Sequence, residues 1–394
     1  MTGFPVLDIL VVLLLIGYLV YGLRAGFVLS LAGIAGIGVG AVAAFFAMPI
    51  VSTWVADSPW RVPVILLIIL AMISVGQGLG SLLGRTLRRR VDRSPLRIVD
   101  RLLGGVVSLV AAALVISMLA FGASSLGVPA ISSAVGRSAV IGTINTLTPD
   151  PLRSALAGLR SLVIQDGIPR ILDALGPVAP PAEAPFSTDT ATLNAAAASV
   201  VKITGAAPAC GQIQSGSGFV VADDRVVTNA HVVAGVREPV VQDRNGLAWP
   251  GRVVSFDEVH DLAVIAVDGL PLNPLQLTED LSPRDRAAVD GYPLGGPFRS
   301  SPAVVQTVAT TRVPNIYGDN PSPIELYALT ASVEEGNSGG PLLSESGRVA
   351  GVVFAKSATS DNVGYALTTD SLAPVVQQSE SLTSAVVAGH CTRR

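Results

Sequence analysis

Four long apolar runs fill the first third of this chain and restrict its fold more than any other feature. They cover residues 6–23 (VLDILVVLLLIGYLVYGL), 27–48, 62–83 and 102–124. Each approaches or exceeds the roughly 20 residues with which an α-helix crosses a hydrocarbon core. Only 14% of the 394 residues are charged, against roughly 25% in a soluble domain. A wholly soluble chain and a disordered one are both disfavoured by that deficit. The first run lacks a basic leading segment, carries Asp8, and has no small-residue cleavage site before Arg24. It is therefore expected to be a retained helix rather than a cleaved leader.

Charge divides the chain in two. Residues 1–124 hold nine Arg+Lys against four Asp+Glu, a balance of +5; the remainder, with 17 against 25, carries −8. Most of the positive charge lies between the third and fourth runs: Arg85, Arg88, Arg89, Arg90, Arg93, Arg97 and Arg101. Short connections rich in arginine stay on the cytoplasmic side. The expected topology has the N-terminus outside, four crossings of the inner (cell) membrane, and everything after residue 124 outside. Gly33, Gly36 and Gly40 predict close helix packing in lipid. Asp8 and Gln77 are too few polar groups to line a transport path. The second half has no basic tract that would suggest nucleic acid.

Residues 125–185 read as a linker, with helix-like spacing over 138–175 and a proline-rich spacer, GPVAPPAEAP, over 176–185. Proline lacks the N–H and clashes with a preceding turn, so that spacer is extended. Residues 186–394 form the last domain. From residue 198 onward, short Val/Ile/Leu-rich segments alternate with Gly, Pro, Asn and Asp, a pattern of many antiparallel strands. Both cysteines of the chain, Cys210 and Cys391, lie here. Outside the membrane they are expected to pair as a disulfide.

Three motifs in this domain carry chemistry. VVTNAHVV centres on His231, HDLAVIAV places Asp261 at the mouth of an apolar strand, and EEGNSGGPLL puts Ser338 in a glycine-rich turn. A serine hydroxyl is a weak nucleophile until a neighbouring base takes its proton. His231 is the expected base, Asp261 the group that orients its ring, and Ser338 the nucleophile. The backbone amides of Gly336 and Ser338 are the expected oxyanion donors, with glycine at 336 permitting a close approach.

Together these motifs make residues 198–385 resemble the chymotrypsin-like (trypsin-fold) serine proteases, in the bacterial branch that includes HtrA-type enzymes. The resemblance implies an all-β double β-barrel with the triad in the cleft between barrels. It places Ser332 near the floor of the primary specificity pocket, where an uncharged residue disfavours Arg and Lys. Val353, Phe354, Ala355 and Lys356 would form one wall and pair with the substrate backbone. Asn337 stands where many relatives have Asp, and no room is expected for an HtrA-type C-terminal peptide-binding module. The membrane half resembles the colicin V production protein family. The whole layout resembles actinobacterial membrane-anchored periplasmic proteases of acid resistance. That implies processing of envelope proteins under acid or oxidative stress.

Other candidates rank lower. His260 adjoins Asp261, but neighbours on a strand face opposite ways. Asp257 sits in a turn-like FDEVHD context, His390 lies in the tail, and Ser217 in GSG lacks a nucleophile's partners. The spacing of histidines and cysteines predicts no metal site, and no dinucleotide fingerprint is present, so no cofactor is expected. The expected partners are envelope peptides and the lipid bilayer. Two alternatives come from other classes: a silent peptide-binding pseudoprotease, and a membrane biogenesis or transport factor regulated by the protease domain.

Overall fold

The computed structural model describes residues 6–54, 61–91, 96–124, 126–161, 169–171, 186–210, 212–360 and 362–392. The proline-rich spacer at 176–185 and Arg93 lie outside the described residues, as do the side chains of Arg89, Arg90 and Cys210. The chain divides into two compact units, Met1–Leu119 and Ala120–Arg394.

The first unit is helical: α1 (Val6–Ala25), α2 (Phe27–Trp54), α3 (Arg61–Val91) and α4 (Arg97–Ser124). All four contain stretches long and apolar enough to cross a membrane. Residues missing a Cβ set their contacts. Gly36 meets the Gly76 backbone, Gly40 meets Met72 and Ile73, and Gly80 meets Ala32, so α2 and α3 touch backbone to backbone. Gly33 is looser, with its nearest neighbour the Ser81 hydroxyl. Between α1 and α4, Gly22 faces Gly104. The basic connection is largely helical, because α3 runs on through its arginines and α4 starts at Arg97. Arginine is a good helix former, and its long stem lets the charge reach water from a helix end. Asp100 is buried, and its carboxylate accepts the Val28 amide at 3.1 Å at the start of α2.

The second unit opens with short helices α5 (Pro129–Gly136), α6 (Ala139–Leu147) and α7 (Asp150–Ser161), then a two-residue strand, β1 (Arg170–Ile171). After α8 (Ala191–Ala197) come the two sheets. The first contains β2 (Val200–Ala207), β3 (Gln212–Ala222), β4 (Arg225–Thr228), β5 (Val240–Gln242), β6 (Ala248–Pro250), β7 (Arg252–Asp257) and β8 (Leu262–Ala266), with α9 (Ala230–Val233) after β4. Its order is β6-β5-β2-β3-β4-β8-β7. The second contains β9 (Arg286–Gly291), β10 (Arg299–Val313), β11 (Ser322–Thr330), β12 (Pro341–Ser344), β13 (Val349–Ser357) and β14 (Val363–Thr368), before α10 (Thr369–Ser379). Its order is β1-β13-β12-β9-β10-β11-β14, with an added β13–β14 pairing that brings the ladder back on itself.

The second unit is thus β-rich with two curled seven-stranded sheets. The pairings of the first sheet end at β6 and β7, so an expected second closed barrel is not established by its ladder. Strands buried on both faces account for the continuous Val/Ile/Leu/Ala segments. β8 (LAVIA) and β14 (VGYALT) are buried at every position. One core cluster draws on both sheets: Phe219, Val227, Leu262 and Val264 with Leu326, Leu343, Val352 and Leu367. This common core holds the loops after β4, before β8 and before β12 on one rigid support.

Candidate active site

His231 sits in α9, the single turn that follows β4, and is buried. The motif residues before it explain its placement. The Thr228 hydroxyl donates to the Ser217 carbonyl at 2.7 Å, and the Asn229 amide donates to the Asp261 carbonyl at 2.7 Å. Asp261 is buried at the mouth of β8 with φ +54, a left-handed conformation that Asp tolerates better than most residues. Its two carboxylate oxygens both serve His231. Oδ1 accepts the His231 backbone N–H at 2.9 Å, and Oδ2 lies 2.6 Å from the ring Nδ1. The backbone contact seats the residue and the Nδ1 contact orients its ring, leaving Nε2 as the other ring nitrogen.

Ser338 is 2% exposed, and its Oγ has no hydrogen-bond partner. Gly216 sits between it and the histidine turn: a Cβ there would meet the Val232 side chain at 2.6 Å and the Ser338 carbonyl at 3.0 Å. Gly339, at φ +82, packs on the Asn229 amide. The glycine-rich turn is thereby seated beside the segment that carries His231. Gly336 has φ +91, and a Cβ there would collide with the Tyr292 carbonyl. Carbonyls of this turn are bonded in succession. Glu335 accepts from Leu294 N at 2.5 Å, Gly336 from Ser217 Oγ at 2.6 Å, Asn337 from Gly340 N at 2.9 Å, and Ser338 from Ser217 N at 2.8 Å. Among the described residues, the amides of Gly336 and Ser338 donate to no protein acceptor. Asn337 is buried and its side-chain oxygen accepts the Glu334 amide at 2.9 Å, so the turn is braced from within.

The rival residues are elsewhere. His260 is exposed and pairs with Asp257 at 2.7 Å, while Asp257 Oδ1 also accepts the amides of Val259 and His260. Burial opposes ionisation of Asp257, but these contacts with His260 hold its carboxyl below the usual range. His260 and Asp261 do point apart, but through a turn rather than strand alternation. His390 stacks on Tyr317 at 3.9 Å. Asp280, Glu325 and Asp370 bring carboxylate oxygens within 4.8 Å of one another. Asp280 Oδ1 there already accepts from the Tyr327 hydroxyl and the Thr369 amide.

On the substrate side, Ser332 is exposed between buried Ala331 and Val333. Val353 and Ala355 are fully buried in β13, Phe354 belongs to the core at a bulge, and Lys356 is half-buried. The edge of β13 at Lys356 is occupied by the chain itself. β1 pairs with it in parallel, Arg170 opposite Lys356 and Ile171 opposite Ser357, and Lys356 N donates to Pro169 O at 3.1 Å.

Two features escaped the sequence reading. Ser217 is a hydrogen-bonded junction rather than a bystander. Asp290, in β9, is fully buried with neither carboxylate oxygen hydrogen-bonded. Burial pushes its carboxyl up to about 6, with the nearby Ser300 hydroxyl and Arg244 opposing. The one available signal was an acidic residue inside an otherwise apolar strand, AAVDGY.

Residues 216–352 match the trypsin-like peptidase domain family, and residues 7–149 match the colicin V production protein family. Serine protease Rv3671c of Mycobacterium tuberculosis is 34% identical over 380 residues, covering 95% of each chain. Serine protease HTRA1A of Danio rerio is 32% identical over 171 residues, 42% of this chain and 35% of that one. A crystal structure of Rv3671c protease from M. tuberculosis in its active form superposes with a TM-score of 0.52 at 36% identity, covering 56% of this chain and 99% of that one.

Proposed function

This chain belongs to the trypsin-like serine proteases, and we propose that it is a membrane-anchored endopeptidase acting outside the cytoplasmic membrane through His231, Asp261 and Ser338. The observation that carries the reading is the engagement of both Asp261 oxygens with His231, at 2.9 Å and 2.6 Å. A carboxylate spent entirely on one histidine fixes the ring so that Nε2 serves as a base. His231 Nε2 takes the Ser338 Oγ proton as the oxygen attacks the scissile carbonyl carbon. The carbonyl π electrons move to oxygen, and the Gly336 and Ser338 amides donate to that oxyanion. When the intermediate collapses, His231 returns its proton to the leaving amine and an acyl-Ser338 remains. Water, deprotonated by the same ring, attacks the acyl carbon; the bond to Ser338 Oγ then breaks, His231 returns its proton to Oγ, and the carboxylic product leaves.

Residues 1–124 serve as the four-helix anchor, 125–185 as the linker and 186–394 as a protease domain of two barrels. The arginines at 85–101 support an extracytoplasmic placement. The membrane half's match to a colicin V production family leaves a biogenesis role as a second activity, not as a replacement. A Cys210–Cys391 disulfide ties the tail down; in its favour, no described cysteine is a free thiol. Ser332 brings no charge to the specificity pocket, so the residue before the scissile bond is uncharged. Substrates are envelope proteins, cut under acid or oxidative stress, a role supported by the resemblance alone.

The test is proteolysis by membrane fractions carrying the full chain, compared with Ser338→Ala at equal abundance, with new envelope N-termini collected at low pH. Cleavage products that vanish in Ser338→Ala are expected. Identical N-termini in both strains, with no turnover of an unfolded substrate by the wild type, would overturn the proposal and leave a silent peptide binder.

A further inference from the structure

Ser217 lies in the middle of β3, is fully buried, and ties three parts of the protease unit to the nucleophile turn. Its hydroxyl donates to the Gly336 carbonyl at 2.6 Å and accepts the Tyr292 amide at 2.9 Å. Its own amide donates to the Ser338 carbonyl at 2.8 Å, and its carbonyl accepts from Thr228 Oγ1 at 2.7 Å. One residue of the first sheet therefore holds the carbonyls on both sides of Asn337. The backbone part of this junction needs no particular side chain; the bond to Gly336 exists only because residue 217 carries a hydroxyl.

That bond matters because of where Gly336 stands. At φ +91, with no Cβ, the residue has little intrinsic preference among its backbone wells. The Gly336 N–H shares a peptide plane with the Glu335 carbonyl, which Leu294 N holds, and Ser217 holds the next plane through the Gly336 carbonyl, so the two bonds together set the torsions of Gly336. Oxyanion donors are effective only when they are aimed before charge develops. The Gly336 carbonyl is at the flexible point, and the group that fixes it from outside the turn is the Ser217 hydroxyl. Tyr292 supplies the second half of the lock, because its amide keeps the Ser217 oxygen oriented with its proton toward Gly336.

We propose that Ser217 is a positioning residue for transition-state stabilisation: its hydroxyl fixes the Gly336 carbonyl so that the Gly336 and Ser338 amides stay aimed at the oxyanion. The assignment rests on Ser338 being the nucleophile, as set out above. Ser217 touches no reacting atom and is distinct from a second nucleophile. Its removal misaligns one donor without removing it, so the effect falls on the chemical step and spares substrate binding.

The experiment is Ser217→Ala in the full chain in detergent, with active sites titrated by a fluorophosphonate and turnover of a peptide amide measured per titrated site. We expect kcat per site to fall about 10- to 100-fold, toward the range seen when one oxyanion donor is lost, with KM within about twofold. Binding of a peptide aldehyde, whose adduct carries the tetrahedral oxyanion, should weaken by the same factor as kcat/KM. A wild-type kcat per site overturns the proposal, as does a lower titratable fraction with unchanged turnover per site, which marks a purely structural role. Should Ser217→Ala not fold, Ser217→Cys fills similar space with a poorer donor and carries the same readout. If the wild type itself is not labelled, it is the Ser338 reading that fails, and the two failures are thereby told apart.

Discussion

Asp290→Asn tests whether a buried acid beside the active-site turn makes the protease unit less stable as pH rises. Asp290 is fully buried with both oxygens unbonded. Burial moves its carboxyl from 3.8 to about 6. Between those values the unfolded chain has lost a proton that the folded chain still holds. Stability therefore falls as pH rises through the window and levels off above it. The gap corresponds to about 3 kcal/mol at about 1.4 kcal/mol per pH unit. Asparagine has no such titration, so the stability difference, Asp290→Asn minus wild type, should grow by about 2.4 kcal/mol between pH 4 and pH 7, the remainder of the gap falling below pH 4. Any fixed cost of burying the amide cancels in this comparison across pH. The assay is urea unfolding of the full chain in detergent at pH 4, 5, 6 and 7, followed by near-ultraviolet circular dichroism. A flat difference would refute the reasoning. A difference that shrank with pH would mean that Arg244 holds the carboxylate ionised in the folded state.

Other expectations follow from the same geometry. Asp261→Asn replaces an acceptor that fixes the His231 ring with a group that can donate, and kcat for a peptide amide should drop roughly 10⁴-fold, as in other members of this mechanistic class. Gly336→Ala puts a Cβ against the Tyr292 carbonyl at a φ of +91, and kcat should fall at least about 10²-fold, the effect of losing one oxyanion donor. Deleting residues 169–171 frees the β13 edge; kcat/KM for an extended peptide should rise about 2- to 10-fold, the span of a backbone hydrogen bond of 0.5–1.5 kcal/mol, while a minimal ester substrate is unaffected. Cys391→Ser should lower unfolding stability by about 2–5 kcal/mol if the cysteines are paired, and a reductant should bring the wild type to the same value.

What the sequence made legible was whatever is local in the chain. The membrane helices announce themselves by uninterrupted apolar length, and the basic ends of α3 and α4 were set too short because arginine continues a helix that hydropathy says has stopped. TNAHVV and DLAVI are short enough that each residue's task is local to a strand end and its turn. Ser217 was passed over because its partners lie 119 and 75 positions away, and nothing in GSG foretells them. Asp290 reads as one acid in a strand, and only packing reveals that it is buried with neither oxygen hydrogen-bonded. The β1–β13 pairing joins residues 170 and 356, and parallel pairing of a two-residue strand leaves no periodic trace. His260 and Asp261 were separated for the wrong reason, since strand alternation was invoked where a left-handed turn residue does the work.

The central claim is that Ser338 is the nucleophile of a working protease. Its most direct test is to treat the full chain with a fluorophosphonate and map the adduct by tandem mass spectrometry. The account predicts one modified site, Ser338, with modification abolished by His231→Ala in a protein that still folds. No adduct on a folded wild type, or an adduct carried by Ser217 instead, would contradict it.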